Sequence, residues 1–287
     1  MKKSRTFLAG AIGILIVITA GFAGAQQAPK RAITKIAGDL YRFQNNFHYS
    51  VFLVTEDGVI ATDPINADAA RWLKKEISSR FGKQVKYLIY SHDHVDHIAG
   101  GEVFADTAVV IAHENTKRAI IGEKRPTAIP NVTFADEMTV ELGGKTVELR
   151  YVGPSHSDNM IVLHFPAERA VFTVDFISVK RLPYKTLSDA YLPGLIHAIA
   201  EVESIDFDIL LPGHGPVGTK ADASDHRRYV EDLYDAVLAA ARAGQSLEQM
   251  QQSIKLSKYK SWGRYKEWLP LNIQGAYQRV SLHRRGN

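Results

Sequence analysis

Four short apolar runs of β type each lead into a histidine or an aspartate, and this repetition constrains the fold more than any other feature of the chain. Residues 85–91 (VKYLIYS) run into His92, residues 147–152 lead to His156, residues 170–176 (AVFTVDF) carry Asp175, and residues 207–215 (FDILLPGHG) carry His214. Buried strands that deliver polar residues at their ends are how α/β folds place their chemistry, and strands lying side by side bring such ends together. The surrounding pattern agrees. Residues 35–43 alternate apolar and polar side chains as a strand does, and SVFLVTEDGVIATD reads as a hairpin turning at residues 56–58. Residues 67–81 place Ala70, Leu73, Ile77 and Phe81 at helical spacing before Gly82. Residues 108–112 are again strand-like, 113–122 helical, and MTVELGGKTVELRYVG is two strands joined at Gly143 and Gly144. From about Ser224 onward helical spacing dominates. The expectation is an α/β sandwich, two β-sheets between helices, in one domain over residues 26–222, with a helical extension over 223–287 packed upon it.

The densest stretch is YSHDHVDHIAGG, residues 90–101, which holds three of the chain's 11 histidines and two aspartates. Imidazoles and carboxylates crowded together need a compensating charge, and a divalent metal is the usual one. With the later strand ends the tally becomes His92, His94, Asp96, His97, His156, Asp175 and His214. Five imidazoles and two carboxylates suit two adjacent divalent ions with water between them.

The stretch SHDHVDHIAGG resembles the H-x-H-x-D-H motif of the metallo-β-lactamase-fold hydrolases, and His156, Asp175 and His214 follow in the order of that superfamily's remaining ligands. The resemblance spans residues 35–220 and implies an αββα sandwich of two mixed sheets. It implies that His92, His94 and His156 hold one metal, that Asp96, His97 and His214 hold the other, and that Asp175 bridges them. Asp63 resembles the aspartate that supports the ligands from behind, or is a turn residue before Pro64. An aspartate at position 175, where some zinc β-lactamases have cysteine, resembles the glyoxalase II-like thioesterases and lactonases. The chemistry implied is attack of a metal-bridging hydroxide on an ester-like, lactone, thioester or β-lactam carbonyl, with Asp96 orienting the nucleophile and passing on a proton. Imidazole and carboxylate donors suit zinc, with iron or manganese as alternatives.

Composition narrows the rest. The chain has no cysteine, which excludes disulfides, thiolate ligands and a thiol nucleophile. Lys2, Lys3 and Arg5 precede an apolar run over residues 7–20 and then Ala23-Gly24-Ala25, the order of a secretory signal over residues 1–25, so a periplasmic or secreted location is expected. Uncleaved, the same segment would be the only membrane attachment. Those 25 residues carry three positive charges and no acidic one, so without them the net charge falls from +4 to +1, too little for a nucleic-acid partner. A small-molecule substrate is expected. The rival readings are a phosphodiesterase of the same fold and a metal-binding accessory protein of a periplasmic system.

For substrate contacts, Lys180, Arg181 and Tyr184, with Lys185, follow Asp175 closely enough to line a pocket and hold a carboxylate, or else form a solvated basic loop. His48 and Tyr49 are expected on a strand surface, with a reach across the cleft as the lesser reading. His113, His164, His197, His226 and His283 lack the strand-end pattern and are expected on the surface or in the core. Tyr259, Trp262, Tyr265 and Trp268 recur every third residue and are expected to pack one helix.

Overall fold

The computed structural model describes residues 28–282; the segment read as a secretory signal and His283 lie outside them. Strands β1 (Arg31–Ala37), β2 (Leu40–Asn45), β3 (His48–Val54) and β4 (Val59–Thr62) form an antiparallel meander. The sheet continues in parallel through β5 (Val85–Ile89), β6 (Val109–His113) and β7 (Val132–Phe134). The crossovers carry helices α1 (Ala67–Phe81), α2 (Val95–Ile98) and α3 (Glu114–Glu123). A second sheet has the order β12-β11-β10-β9-β8, from β8 (Glu137–Leu142), β9 (Lys145–Tyr151), β10 (Ile161–Phe165), β11 (Ala170–Val174) and β12 (Ile209–Pro212). Its first four strands are antiparallel and β12 joins in parallel after helix α4 (Leu192–Ser204). Helices α5 (Lys220–Arg242), α6 (Leu247–Ser253) and α7 (Tyr265–Leu282) complete the chain. None of the described helices is long and apolar enough to cross a membrane.

The period-two pleat explains why the first sheet is buried on both faces. Val51, Leu53, Ile60, Ile89 and Ile111 point to the core shared with the second sheet, whereas Phe52, Val59, Ala61, Leu88 and Val110 point to the core under α1. Two mixed sheets face each other with helices outside, the αββα sandwich. Helix α1 matches its sequence limits because Asn66 caps it by accepting from Ala69 N and Gly82 ends it in a left-handed conformation.

Three expectations are corrected. Residues 35–43 do not form one strand: the chain turns at Gly38 and Asp39, and β1 pairs back onto β2. Helix α5 starts four residues before Ser224, because Thr219 and Asp222 form a reciprocal cap. The aromatic series does not lie on one helix. Tyr259 and Trp262 precede α7 in a 3-10 turn and the loop after it, where they pack against Tyr229, and only Tyr265 and Trp268 are helical.

Candidate metal centre

The strand ends converge as the sequence pattern requires. His92 follows β5, His156 follows β9, Asp175 follows β11 and His214 follows β12, while α2 presents Asp96 and His97, with His94 at its N-cap position. Two groups result: His92, His94, His156 and Asp175, and Asp96, His97, Asp175 and His214, each with its donor atoms within 4.8 Å of one another. The separations are those of donors around an ion. His94 Nδ1 stands 3.3 Å from His156 Nε2, and Asp175 Oδ2 stands 3.7 Å from Nε2 of both His92 and His156. On the other side Asp175 Oδ1 is 3.1 Å from His97 Nε2 and 3.2 Å from His214 Nε2, which are 3.2 Å from each other; Asp96 Oδ2 is 3.7 Å from both. Donors around a tetrahedral ion with bonds of about 2.1 Å stand about 3.4 Å apart. Asp175 thus offers one oxygen to each group.

The fit to a cation rests on a second observation. His92 Nε2 is buried and has no hydrogen-bond partner, a costly state for a polar atom unless an ion takes its lone pair. The outward nitrogens are held so that the inward ones stay free. His92 Nδ1 donates to Ser91 Oγ at 2.9 Å, and Ser91 Oγ donates to Asp63 Oδ2 at 2.7 Å. Asp63, fully buried, also accepts from Ser91 N at 2.9 Å and faces His97 Nδ1 at 3.3 Å. The His214 loop is fastened by the first hairpin: His214 Nδ1 donates to Phe47 O, Tyr49 N to Gly213 O, and the buried Arg42 guanidinium to Pro212 O and Gly215 O at 2.6 and 2.7 Å. Gly213 packs closely here, since a Cβ would stand 3.0 Å from His97 and 3.1 Å from Asp175 Oδ1. On the opposite side Asn159 Oδ1 accepts from Asp93 N and its amide donates to Asp93, which Arg125 pairs at 2.7 Å.

Electrostatics divides the two groups. Burial, reinforced by the neighbouring histidines, holds His92 well below the usual imidazole value, and burial brings His156 down to about 4. Both are neutral near pH 7. Burial also opposes a charged His97, yet the Asp175 and Asp63 carboxylates outweigh it and hold its pKa well above the ordinary value. His214 rises against burial to about 9 beside Asp175 and Asp96. Burial opposes the ionised forms of the two aspartates as well, but the imidazoles outweigh it and keep both carboxyls well below their usual range. Protons on His97 and His214 therefore balance charge that an entering cation would balance instead, releasing them.

The centre floors a cavity of about 530 Å³. His48, at the start of β3, lines it with Nε2 3.2 Å from Asp96 Oδ2, and its ring packs edge-on against His214. It reaches the cleft rather than lying on the strand surface, because the hairpin tip folds over the His214 loop. Tyr49 packs under Arg42 instead. Arg181 and Tyr184 line the cavity, but Lys180 does not: its ammonium pairs with Asp225 and Asp222 on α5 and lies over Trp262. Lys185 lies over the Tyr184 ring. Sequence reading missed Ser91, Asn159, Arg42, Trp268 and Arg264. Only Ser91, adjacent to His92, carried a local signal. His226 was expected in the core and is 1% exposed, yet it also lines the cavity. His113 stacks on Tyr151 and donates to Ala135 O, and His164 pairs with Glu148. The exposed His197 lies 3.9 Å from Glu201 on α4.

Residues 46–214, more than half of the chain, match the family model of the metallo-beta-lactamase superfamily. The chain belongs to that superfamily of hydrolases. It is 28% identical over 205 residues to 2,4-dinitroanisole O-demethylase subunit alpha of Nocardioides sp., covering 70% of this chain and 62% of that one. The chain thus spans about six tenths of the length of the demethylase subunits it matches. It is 28% identical over 181 residues to the metallo-beta-lactamase type 2 of Elizabethkingia meningoseptica, covering 60% of this chain and 70% of that one. The structure of a metallo-beta-lactamase from Pontibacter korlensis superimposes with a TM-score of 0.63 over 70% of this chain and 99% of that chain, at 24% identity, a likeness of fold.

Proposed function

We propose that this chain is an exported hydrolase using two zinc ions to cleave an ester-like, thioester, lactone or β-lactam carbonyl. The observation that carries it is Asp175, which offers one oxygen to each of two complete donor groups at the floor of an open cavity. Bound there, such ions supply Lewis acidity toward a carbonyl oxygen and a water that ionises near neutral pH. The chain's own groups do the rest. Asp96 Oδ2, half exposed at the cavity floor, orients a water and receives its proton, and His48 Nε2 beside it is placed to pass a proton toward the leaving group. The donor set of imidazoles and carboxylates, without thiolate, suits zinc. The names of the relatives include an O-demethylase and β-lactamases, so the leaving group is decided by the cavity and not by the fold. Export is supported by the basic start, apolar run and small-residue stretch of residues 1–25.

The test joins elemental analysis to turnover. The protein is loaded with zinc and assayed against a chromogenic cephalosporin, a simple lactone, a thioester and an aryl ester, with Asp96→Ala beside it. About two zinc ions per chain and turnover of one substrate that collapses in the variant are expected. A chain that takes up no metal overturns the reading, and two metals without any turnover leave the accessory-protein role.

A further inference from the structure

One wall of the cavity joins Arg181 and Tyr184, which lie inside the family match, to residues that lie beyond it. Helix α7 contributes Trp268, and the turn before it Arg264. The Trp268 indole lies between two guanidiniums, 5.6 Å from Arg181 and 5.8 Å from Arg264, and meets the Tyr184 ring edge-on at 5.3 Å. Tyr184 is 62% exposed and Phe47, whose carbonyl accepts from His214, 84% exposed. Large aromatic surface left open around a concave site is unusual unless something apolar covers it.

The polar groups at this end are equally unspent. Arg181 forms no ion pair with any carboxylate among the described residues, although the charge of Asp175 acts on it; besides the Trp268 ring its side chain meets Ser178 Oγ at 3.5 Å, and its buried Nε has no partner. The buried His226 lines the same cavity, held by the backbone of Phe176 and Ser178. A guanidinium without a carboxylate partner and backed by an aromatic face is a fork suited to a carboxylate.

We propose that this end of the cavity is a subsite for the non-reacting part of the substrate, taking a flat apolar group that ends in a carboxylate. Trp268, Tyr184 and Phe47 grip the apolar body, and Arg181 binds the anion. The subsite deepens the hydrolase reading and rests on it for the placement of the carbonyl, but its binding chemistry stands without turnover. Helix α7 is thereby the specificity element of the protein.

The test is equilibrium binding to the zinc-loaded full chain, by calorimetry, of 4-phenylbutanoate and its neutral amide 4-phenylbutanamide. The acid is expected to bind roughly tenfold or more tighter than the amide, as a charged hydrogen-bond pair would provide. In Arg181→Gln that advantage disappears while the affinity of the amide is unchanged. In Trp268→Leu both probes weaken together and the preference survives. Equal affinity of acid and amide for the unaltered protein overturns the proposal. So does a preference that persists in Arg181→Gln, because the anion is then held by the metals. Arg181→Lys, which keeps the charge without the fork and retains part of the preference, serves if the glutamine variant does not fold. A protein that prefers the acid but hydrolyses no ester refutes the hydrolase reading and leaves the subsite standing.

Discussion

The floor and the wall of the cavity differ in how the chain holds them. The donors of the floor stand at strand ends and on a short helix, backed by buried, paired strands. The wall, residues 180–190, contains no strand or helix, only an isolated bridge from Arg181 to Gly263, and three of its residues (Lys180, Lys185 and Leu187) have left-handed backbones that cost about 1 kcal/mol or more each. Helix α7 holds it. Asn272 donates to Pro183 O and Lys185 O at 3.1 and 2.6 Å, and Arg279 donates to Ala190 O at 2.6 Å and to Ser188 O. Gly275 lets the helix approach so closely that a Cβ would stand 1.8 Å from Thr186 O. The lesson is that a catalytic floor can be inherited with a sheet, while the surface that chooses a substrate is assembled from distant segments and is free to differ.

Four measurements would break or sharpen that contrast, in falling order of effect. Asp175→Ala removes the carboxylate shared by both donor groups, so loss of both ions and of essentially all turnover is expected, and the metal-free protein should also melt lower because buried His97 and His214 lose the charge that balances them. Retention of two metals would show that the floor does not depend on the shared carboxylate. Asp63→Ala frees Ser91 and His97 behind the ligands, and metal affinity measured by chelator competition should fall by about 10- to 100-fold.

The wall should respond otherwise. Asn272→Ala strips Pro183 O and Lys185 O of their donor and leaves the buried Tyr229 hydroxyl without its acceptor, costing about 3 kcal/mol in denaturant unfolding. Metal content should stay the same while KM rises; a loss of metal would erase the distinction between floor and wall. The smallest effect concerns His226, whose burial lowers its pKa to about 4. Between that value and the ordinary 6.5 the unfolded chain binds the proton and the folded one does not, so stability is whole above about pH 6.5 and falls as the pH drops toward 4. At pH 5 the loss is about 2 kcal/mol, and His226→Gln should lack that portion of the decline in urea melts at pH 7 and pH 5.

Much of the floor was legible because its signals are local. A period-two apolar run marks a buried strand, the residue at its end marks the rim of the sheet, and H-x-H-x-D-H places three imidazoles within one turn of chain. Helix α1 was legible to its last residue, since its cap and its terminating glycine are neighbours in sequence. The turn at Gly38 and Asp39 was missed because apolar and polar residues continue to alternate through it.

The wall was illegible for the opposite reason. Lys180 and Arg181 are adjacent and equally basic, and nothing local says that one turns to Asp225 on α5 while the other faces the cavity beside Trp268. Trp268 stands 87 residues beyond Arg181, and spacing alone assigned it to helix packing. The sequence by itself determined the two sheets, the set of donor residues and their order along the chain, because hydrogen-bonded strands convert short-range pattern into position. Only the tertiary structure decided that Asp175 faces both donor groups, that His48 reaches Asp96 and that the last helix closes the pocket. Those depend on contacts between segments far apart in the chain, whose energies no local pattern records.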